Sequence, residues 1–214
     1  MLISTLIVED HDVTRQGLEH LLENELDARV IGTTGDGLEA ISVLEEREPD
    51  LLVLDLGLPG LNGLDILRRI RSLGLPTKVV VLSMHGEDSY VTEAFELGAR
   101  GYVLKGSPLS ELTDAIKHII RGEKYVSSDL SEDLITSDPV EADVEDRFNT
   151  LTDREREVLQ LTAEGNTSRE IGDRLGISHR TVEKHRENIQ AKLELRNIVE
   201  MAAYAHQRGL LEGV

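Results

Sequence analysis

The 214-residue sequence contains no cysteine, which excludes disulfide bonds, thiolate metal sites and a cysteine nucleophile. Aromatic residues make up only 3% of the chain and tryptophan is missing, which argues against stacking platforms for single-stranded nucleic acid. No apolar run approaches a membrane span, and the N-terminus lacks the basic and apolar regions of a signal peptide. We therefore expect a cytoplasmic protein with no membrane partner.

Net positive charge is also lacking, because 41 acidic residues outnumber 23 basic ones and give a formal charge of −18. The excess of acid is uneven along the chain. Residues 1–126 carry a net −10 and residues 127–150 a net −7, whereas residues 151–214 carry only −1. A nucleic-acid partner is therefore expected only for the last segment, and the acid elsewhere is explained by solubility.

The first segment alternates regularly between two hydrophobic periods. Five apolar stretches typical of strands alternate with five stretches whose apolar residues recur at helical spacing. This alternation predicts an α/β fold, a doubly wound five-stranded parallel sheet with helices on both faces. The predicted strands are 2–8, 29–33, 51–54, 78–82 and 101–104, and the predicted helices are 12–25, 36–47, 62–72, 87–97 and 108–121.

The remainder of the chain divides into an acidic linker and a small all-α domain of four helices. Residues 122–149 form the predicted linker, in which Leu130, Leu134 and Ile135 allow one short helical turn. Residues 150–214 form the predicted helical domain, where three capping boxes mark helix starts. The boxes join Thr152 to Glu155, Thr167 to Glu170 and Asn197 to Glu200.

Acidic and polar residues stand at the ends of the predicted strands. Glu9 and Asp10 follow the first strand, Asp55 the third, Ser83 the fourth and Lys105 the fifth. In a doubly wound sheet these ends converge on one edge, where crowded carboxylates favour a hard cation such as Mg²⁺. An aspartate beside a metal and an ammonium group can accept a phosphoryl group. Taken singly, each residue is explained equally well as a turn former, a helix cap or a solvated charge.

Residues 1–121 resemble the receiver domain of two-component response regulators, which has a flavodoxin-like fold. The resemblance rests on four motifs at predicted strand ends: 6–12 (LIVEDHD), 55–63 (DLGLPGLNG), 79–83 (VVVLS) and 101–105 (GYVLK). It implies that Glu9, Asp10, Asp55 and the backbone carbonyl of Gly57 hold Mg²⁺. It also implies that Asp55 is the phosphoacceptor.

The same resemblance implies which side chains respond when Asp55 is phosphorylated. Ser83 would hydrogen-bond the phosphoryl group, Lys105 would pair with it, and Tyr102 would turn inward as the rotameric switch. The sequence departs from the family pattern at Gly57-Leu58, where many relatives have a larger polar residue and methionine. Gly106 follows Lys105 where many receivers have proline, so the residue that favours a cis peptide there is missing.

The helix expected after Ser178 has an apolar stripe and a separate polar face. Val182, Ile189 and Leu193 form the stripe. A short helix, a glycine-containing turn and such a second helix predict a helix-turn-helix, whose second helix enters the major groove of DNA. An ordinary solvated helix is the alternative. The residues expected to contact DNA are Arg180, Thr181, Lys184, His185, Asn188 and Lys192.

Residues 150–211 resemble a LuxR-type helix-turn-helix, through 151–159 (LTDREREVL), 164–166 (EGN), 175–178 (LGIS) and 181–185 (TVEKH). With the receiver in front, the chain resembles the NarL/FixJ class of response regulators. The class implies a sensor histidine kinase as phosphodonor, double-stranded DNA as partner and a homodimer when active. Glu183 and Glu187 are acidic where several relatives carry bases near DNA.

The sequence thus predicts a transcription regulator that phosphorylation of Asp55 switches, and not an enzyme beyond its own phosphotransfer and dephosphorylation. Two other readings remain. A Mg²⁺-dependent phosphohydrolase would need a second acid near Asp55, where the sequence offers Gly57. In the other, a receiver that works without phosphorylation precedes a helical domain that binds protein rather than DNA.

Overall fold

The structure is a computed structural model that describes residues 2–131 and 147–211. Within these ranges one sheet of six parallel strands lies at the centre of the N-terminal part, in the order β2-β1-β3-β4-β5-β6. The predicted α/β fold with a parallel sheet is confirmed. The strands are β1 Ile3–Val8, β2 Ala28–Thr34, β3 Leu51–Asp55, β4 Lys78–Ser83, β5 Gly101–Leu104 and β6 Tyr125–Val126.

The sixth strand corrects the prediction of five. β6 pairs with Gly101 and Tyr102 of β5, and the backbone N–H of Ser127 continues the pairing by donating to the Tyr102 carbonyl at 2.8 Å. A strand of two residues is too short to show a hydrophobic period, so the pattern missed it. β6 falls inside the range predicted as linker. Of the helical turn expected there, Leu134 and Ile135 lie outside the described residues.

Five helices cover the two faces of the sheet, and each face has its own apolar cluster. α1 and α5 pack on one face through residues such as Leu22 and Ile116, and α2, α3 and α4 pack on the other through Leu44, Ile66 and Ala94. The strands therefore carry their side chains into apolar surroundings on both sides. The helices are α1 Asp12–Glu25, α2 Gly37–Arg47, α3 Gly63–Leu73, α4 Asp88–Glu96 and α5 Leu109–Ile120.

The C-terminal part is all-helical, as predicted. A 3₁₀ turn, Arg147–Thr150, precedes four α-helices. Two of the expected capping boxes form at Thr152 and Thr167. The third is incomplete, because Glu200 accepts from the backbone N–H of Arg196 rather than from Asn197. The helices are α6 Asp153–Ala163, α7 Ser168–Leu175, α8 His179–Leu193 and α9 Ile198–Gln207.

The helical part packs against the sheet domain through α6. Gln160 on α6 and Glu164, the residue directly after it, reach the loop between β3 and α3, and Arg174 on α7 pairs with Asp36 at the start of α2. Arg156 lies against Asp65 of α3 at 3.8 Å. The contact leaves the N-terminal half of α8 exposed, with Thr181 and Lys184 open to solvent. Within the described residues, no helix has the length and apolar character needed to cross a membrane.

Candidate phosphoacceptor site and nucleic-acid interface

The strand ends bring an acidic cluster to one edge of the sheet. Candidate ligand atoms of Glu9, Asp10, His11 and Asp55 all lie within 4.8 Å of one another. Glu9 and Asp55 are buried, whereas Asp10 is exposed. The cluster therefore has two covered carboxylates, those of Glu9 and Asp55, and an open side at Asp10 that solvent and small ions can reach.

Lys105 supplies the positive charge at this edge. Its ammonium donates to an Asp55 carboxylate oxygen at 2.6 Å and lies 3.0 Å from a Glu9 oxygen. Burial lowers the pKa of Lys105, but the hydrogen bonds and charges of Asp55 and Glu9 raise it by more, so the net shift is upward. Lys105 is therefore held charged between two buried carboxylates that would otherwise repel each other.

His11 is a member of the cluster that the sequence reasoning missed. Its Nδ1 lies 2.7 Å from Asp10 and 3.2 Å from Glu9. The negative charge of Asp10 is the largest cause that raises the pKa of the exposed His11 ring. The sequence pattern that could have indicated His11 is a histidine directly after two acids at a strand end. Imidazole both pairs with carboxylates and ligates metals.

The donor chemistry of the cluster fits Mg²⁺. Carboxylate oxygens of Glu9, Asp10 and Asp55 are the hard ligands that this cation prefers. Gly57 is half-buried beside them, and its backbone N–H donates to Asp55 Oδ1 at 3.3 Å. The residue predicted to offer a carbonyl ligand is therefore linked to the Asp55 carboxylate through its own backbone N–H.

Ser83 and Tyr102 meet on the loop after β4. Ser83 is buried and its hydroxyl accepts from the backbone N–H of His85 at 3.1 Å. The Tyr102 ring is 0% exposed, and its hydroxyl donates to the His85 carbonyl at 2.8 Å. The family resemblance implied that Tyr102 turns inward on phosphorylation, but here the ring is already inward. It packs within the apolar cluster under α4, which favours the buried rotamer.

The same loop extends toward the helical part. The His85 ring stacks on Tyr90 of α4 with centroids 4.3 Å apart and planes 6° from parallel. The Tyr90 hydroxyl donates to the backbone carbonyl of Arg208, just after α9, at 3.3 Å. His85 therefore contacts Ser83 through its backbone N–H and Tyr90 through its ring, and Tyr90 in turn contacts the residue that follows α9.

Helix α8 has the two faces that the sequence predicts. Val182 and Ile189 are fully buried, and Leu193 nearly so. Of the residues expected to contact DNA, Arg180, Thr181 and Lys184 are exposed, and His185, Asn188 and Lys192 are half-buried.

Two charged residues on α8 are engaged within the domain. The Lys192 ammonium donates to Glu155 at 2.6 Å and to the Thr150 carbonyl at 2.9 Å, so reaching a phosphate would require it to leave both. Glu183 accepts from the Ser168 hydroxyl at the start of α7. Glu187 lies 3.0 Å from the ammonium of Lys184, and both glutamate side chains are exposed.

Arg186 holds α8 in place and was missed by the sequence reasoning. The side chain is buried on the same side of the helix as Val182. Its guanidinium donates to the Thr162 hydroxyl at 3.1 Å, the Ser168 hydroxyl at 2.7 Å and the Asn166 carbonyl at 2.9 Å. The sequence pattern that could have indicated Arg186 is an arginine at a position of the apolar stripe. A buried arginine needs several hydrogen-bond acceptors, so it usually ties neighbouring segments together.

Comparison with known families agrees with this architecture. Residues 5–117 match the response regulator receiver domain, and residues 149–205 match the bacterial regulatory proteins of the luxR family. The chain belongs to the two-component response regulators with a receiver domain and a LuxR-type DNA-binding domain.

Individual relatives extend the match over nearly the whole chain. The oxygen regulatory protein NreC of Staphylococcus aureus (strain MRSA252) is 36% identical over 213 residues, 97% of this chain and 98% of NreC. A LuxR-family two-component response regulator from Aurantimonas sp. SI85-9A1 is 33% identical with a TM-score of 0.59, over 64% of this chain and 96% of that one. The response regulator RcsB of Salmonella typhimurium is 22% identical with a TM-score of 0.57, over 96% of this chain and 99% of RcsB, and shares the fold.

Proposed function

We propose that Asp55 accepts a phosphoryl group from the phosphohistidine of a sensor histidine kinase, and that this switches DNA binding by the helical domain. An Asp55 carboxylate oxygen attacks phosphorus, the P–N bond breaks, and the histidine nitrogen keeps the electron pair. The observation that carries the proposal is the buried Asp55 carboxylate 2.6 Å from the Lys105 ammonium, inside a cluster of cation-binding groups.

We further propose that Mg²⁺ is the resident cation, held by Glu9, Asp10, Asp55 and the Gly57 carbonyl. When bound, Mg²⁺ neutralises charge on the transferring phosphoryl oxygens. Lys105 contributes a second positive charge on the covered side of the site. Ser83 lies at the neighbouring strand end, where its hydroxyl can leave the His85 N–H and donate to a phosphoryl oxygen.

The switch in this proposal is the loop after β4. A phosphoryl dianion on Asp55 attracts both Ser83 and Lys105, and Ser83 is bonded to the loop that the buried Tyr102 hydroxyl also anchors. Movement of that loop reaches Tyr90 and its contact with Arg208. Phosphorylation would therefore weaken the packing of the helical domain on the receiver.

The output is binding to double-stranded DNA in the cytoplasm, as a homodimer when active. Arg180, Thr181, Lys184, His185 and Asn188 would contact the major groove or its phosphates, with Lys192 at the far end of the helix. RcsB, which shares the fold, has been solved in complex with DNA, and one such structure contains two dimers. No catalysis is proposed beyond transfer and loss of the chain's own phosphoryl group.

Labelling of the purified protein with a small-molecule phosphodonor tests the first step. We expect acid-labile label that requires Mg²⁺ and disappears in Asp55→Asn, with weaker labelling in Asp10→Ala because a cation ligand is lost. Equal labelling of Asp55→Asn would place the acceptor elsewhere.

A further inference from the structure

Gln160 of α6 is a buried side chain that bonds to the backbone of the receiver. It is 1% exposed. Its Oε1 accepts from the backbone N–H of Asn62 at 2.7 Å, and its Nε2 donates to the backbone carbonyl of Leu58 at 2.8 Å. One glutamine therefore spans the loop between β3 and α3, and its loss would leave two covered backbone groups without their partners.

Glu164, which directly follows α6 and lies one turn beyond Gln160, bonds to the middle of the same loop. Its Oε1 accepts from the backbone N–H of Gly60 at 2.7 Å and from Gln160 Nε2 at 3.1 Å. Gly60 has a φ of +80°, a conformation that glycine adopts without strain. Two neighbouring side chains of the DNA-binding domain thus satisfy three backbone groups of one receiver loop.

This loop begins directly at the phosphoacceptor site. Gly57 donates to the Asp55 carboxylate on one side, and the next residue, Leu58, carries the carbonyl that Gln160 holds. The backbone N–H of Gly63 donates to the Leu56 carbonyl at 2.9 Å and closes the base of the loop. The Gly57–Leu58 peptide, which carries the proposed carbonyl ligand, lies between these fixed points, and its own N–H donates to the Leu56 carbonyl at 3.1 Å, so it has little freedom to rotate.

We propose that Gln160 is a positioning residue of the phosphoacceptor site, through which the docked DNA-binding domain preorganises the Gly57 peptide for the cation. The inference rests on the proposed function, because it assigns a regulator to the same site. A preorganised ligand costs less free energy to order on binding, so the docked form binds the cation more tightly. Reciprocity then requires that the cation strengthen domain docking by the same factor.

Mn²⁺ binding to the full-length protein, followed by electron paramagnetic resonance, tests the proposal. Gln160→Met keeps the side-chain volume but removes both hydrogen bonds. We expect it to raise the half-saturating Mn²⁺ concentration about fivefold or more, within the usual range of coupling between sites. The matched control is Gln190→Met on α8, which should bind Mn²⁺ like the wild type.

A second readout separates positioning from folding. In the wild type, adding Mg²⁺ in place of Mn²⁺ should slow hydrogen exchange at the backbone amides of Asn62 and Gly60. Gln160→Met should abolish that slowing. If Gln160→Met fails to fold, Glu164→Gln weakens the acceptor for the Gly60 N–H and for Gln160 Nε2 but leaves both Gln160 bonds to the loop possible, and it should shift Mn²⁺ affinity in the same direction by a smaller factor.

Asp10→Asn distinguishes the possible failures. If Asp10→Asn weakens Mn²⁺ binding while folded Gln160→Met binds it like the wild type, the positioning role is overturned and the cation site stands. If Asp10→Asn also leaves Mn²⁺ affinity unchanged, the proposed cation site itself is wrong.

Discussion

The hydroxyl of Tyr102 donates a 2.8 Å hydrogen bond to the backbone carbonyl of His85, while the backbone N–H of the same His85 donates to Ser83. One residue of the β4–α4 loop is therefore held from two strands at once. Because the Tyr102 ring is already buried, its inward rotation is not needed to form this contact. A movement of the Ser83 hydroxyl would therefore pull on a loop that the Tyr102 hydroxyl already holds at the His85 carbonyl.

Replacement of Tyr102 tests this anchor. Tyr102→Phe keeps the buried ring and removes only the hydroxyl, leaving the His85 carbonyl without that donor. We expect a loss of about 0.5–1.5 kcal/mol in the free energy of unfolding, the usual net value of one hydrogen bond. Urea denaturation measures it. The DNA-binding response to phosphorylation should also fall, and a variant with wild-type stability and response would show that the bond carries neither.

Removal of Lys105 should expose the repulsion within the acidic cluster. Lys105→Ala leaves the buried carboxylates of Asp55 and Glu9 without their shared ammonium, at a cost of about 1–3 kcal/mol in unfolding free energy. Added Mg²⁺ should restore part of this stability, because it replaces the missing positive charge. Thermal unfolding with and without Mg²⁺ measures both effects. Lys117→Ala, on the exposed surface of α5, is the matched control and should show neither.

Glu155 should make the helical domain sensitive to acid. Burial raises the pKa of Glu155, but hydrogen bonds from Lys192 and Thr152 lower it by more, so the folded-state pKa lies below the usual 4.5. A depressed pKa stabilises the fold above the unfolded-state pKa, and that stability is lost as pH falls through the folded-state pKa. In Glu155→Gln the unfolding free energy should therefore fall less steeply than in the wild type as the pH drops below about 5, where the unfolded-state carboxyl begins to take up its proton. Equal slopes in urea titrations at several pH values would contradict this.

The two lysines of α8 should differ in their effects on DNA binding. Lys184 is exposed in the N-terminal half of the helix, so Lys184→Ala should weaken specific binding by about 1–3 kcal/mol and change sequence preference. Lys192 is held by Glu155, so Lys192→Ala should weaken binding to all sequences alike and by less. Fluorescence anisotropy at several salt concentrations separates the two. Lys192→Ala having the larger effect on sequence preference would reverse the assignment.

Much of the fold could be predicted from the sequence because its signals are local and repeated. The alternation of periods predicts the five longer strands, and the cap residues Thr152, Thr167 and Ser178 mark three helix starts that the structure has. β6 escaped prediction because two residues carry no period. Asn197 forms only half of its predicted box, since the Glu200 carboxylate has a competing donor one residue earlier.

The candidate site was predictable as far as strand ends determine it. Glu9, Asp10, Asp55 and Lys105 meet because parallel strands end at one edge, and Ser83 ends the strand next to Asp55. The contacts of Gln160 and Lys192 were not predictable in the same way. Gln160 meets a loop 98 residues earlier, and Lys192 bonds to a residue 37 positions away, so both depend on tertiary packing that no local pattern records.

Phosphorylation of Asp55 is proposed to switch DNA binding. The decisive experiment measures the affinity of the full-length protein for duplex DNA in Mg²⁺, with and without a small-molecule phosphodonor, in the wild type and in Asp55→Asn. We expect salt-dependent binding that the phosphodonor tightens in the wild type and leaves unchanged in Asp55→Asn. An equal response of both proteins, or no salt-dependent binding by either, would show that Asp55 is not the switch or that the helical domain does not bind DNA.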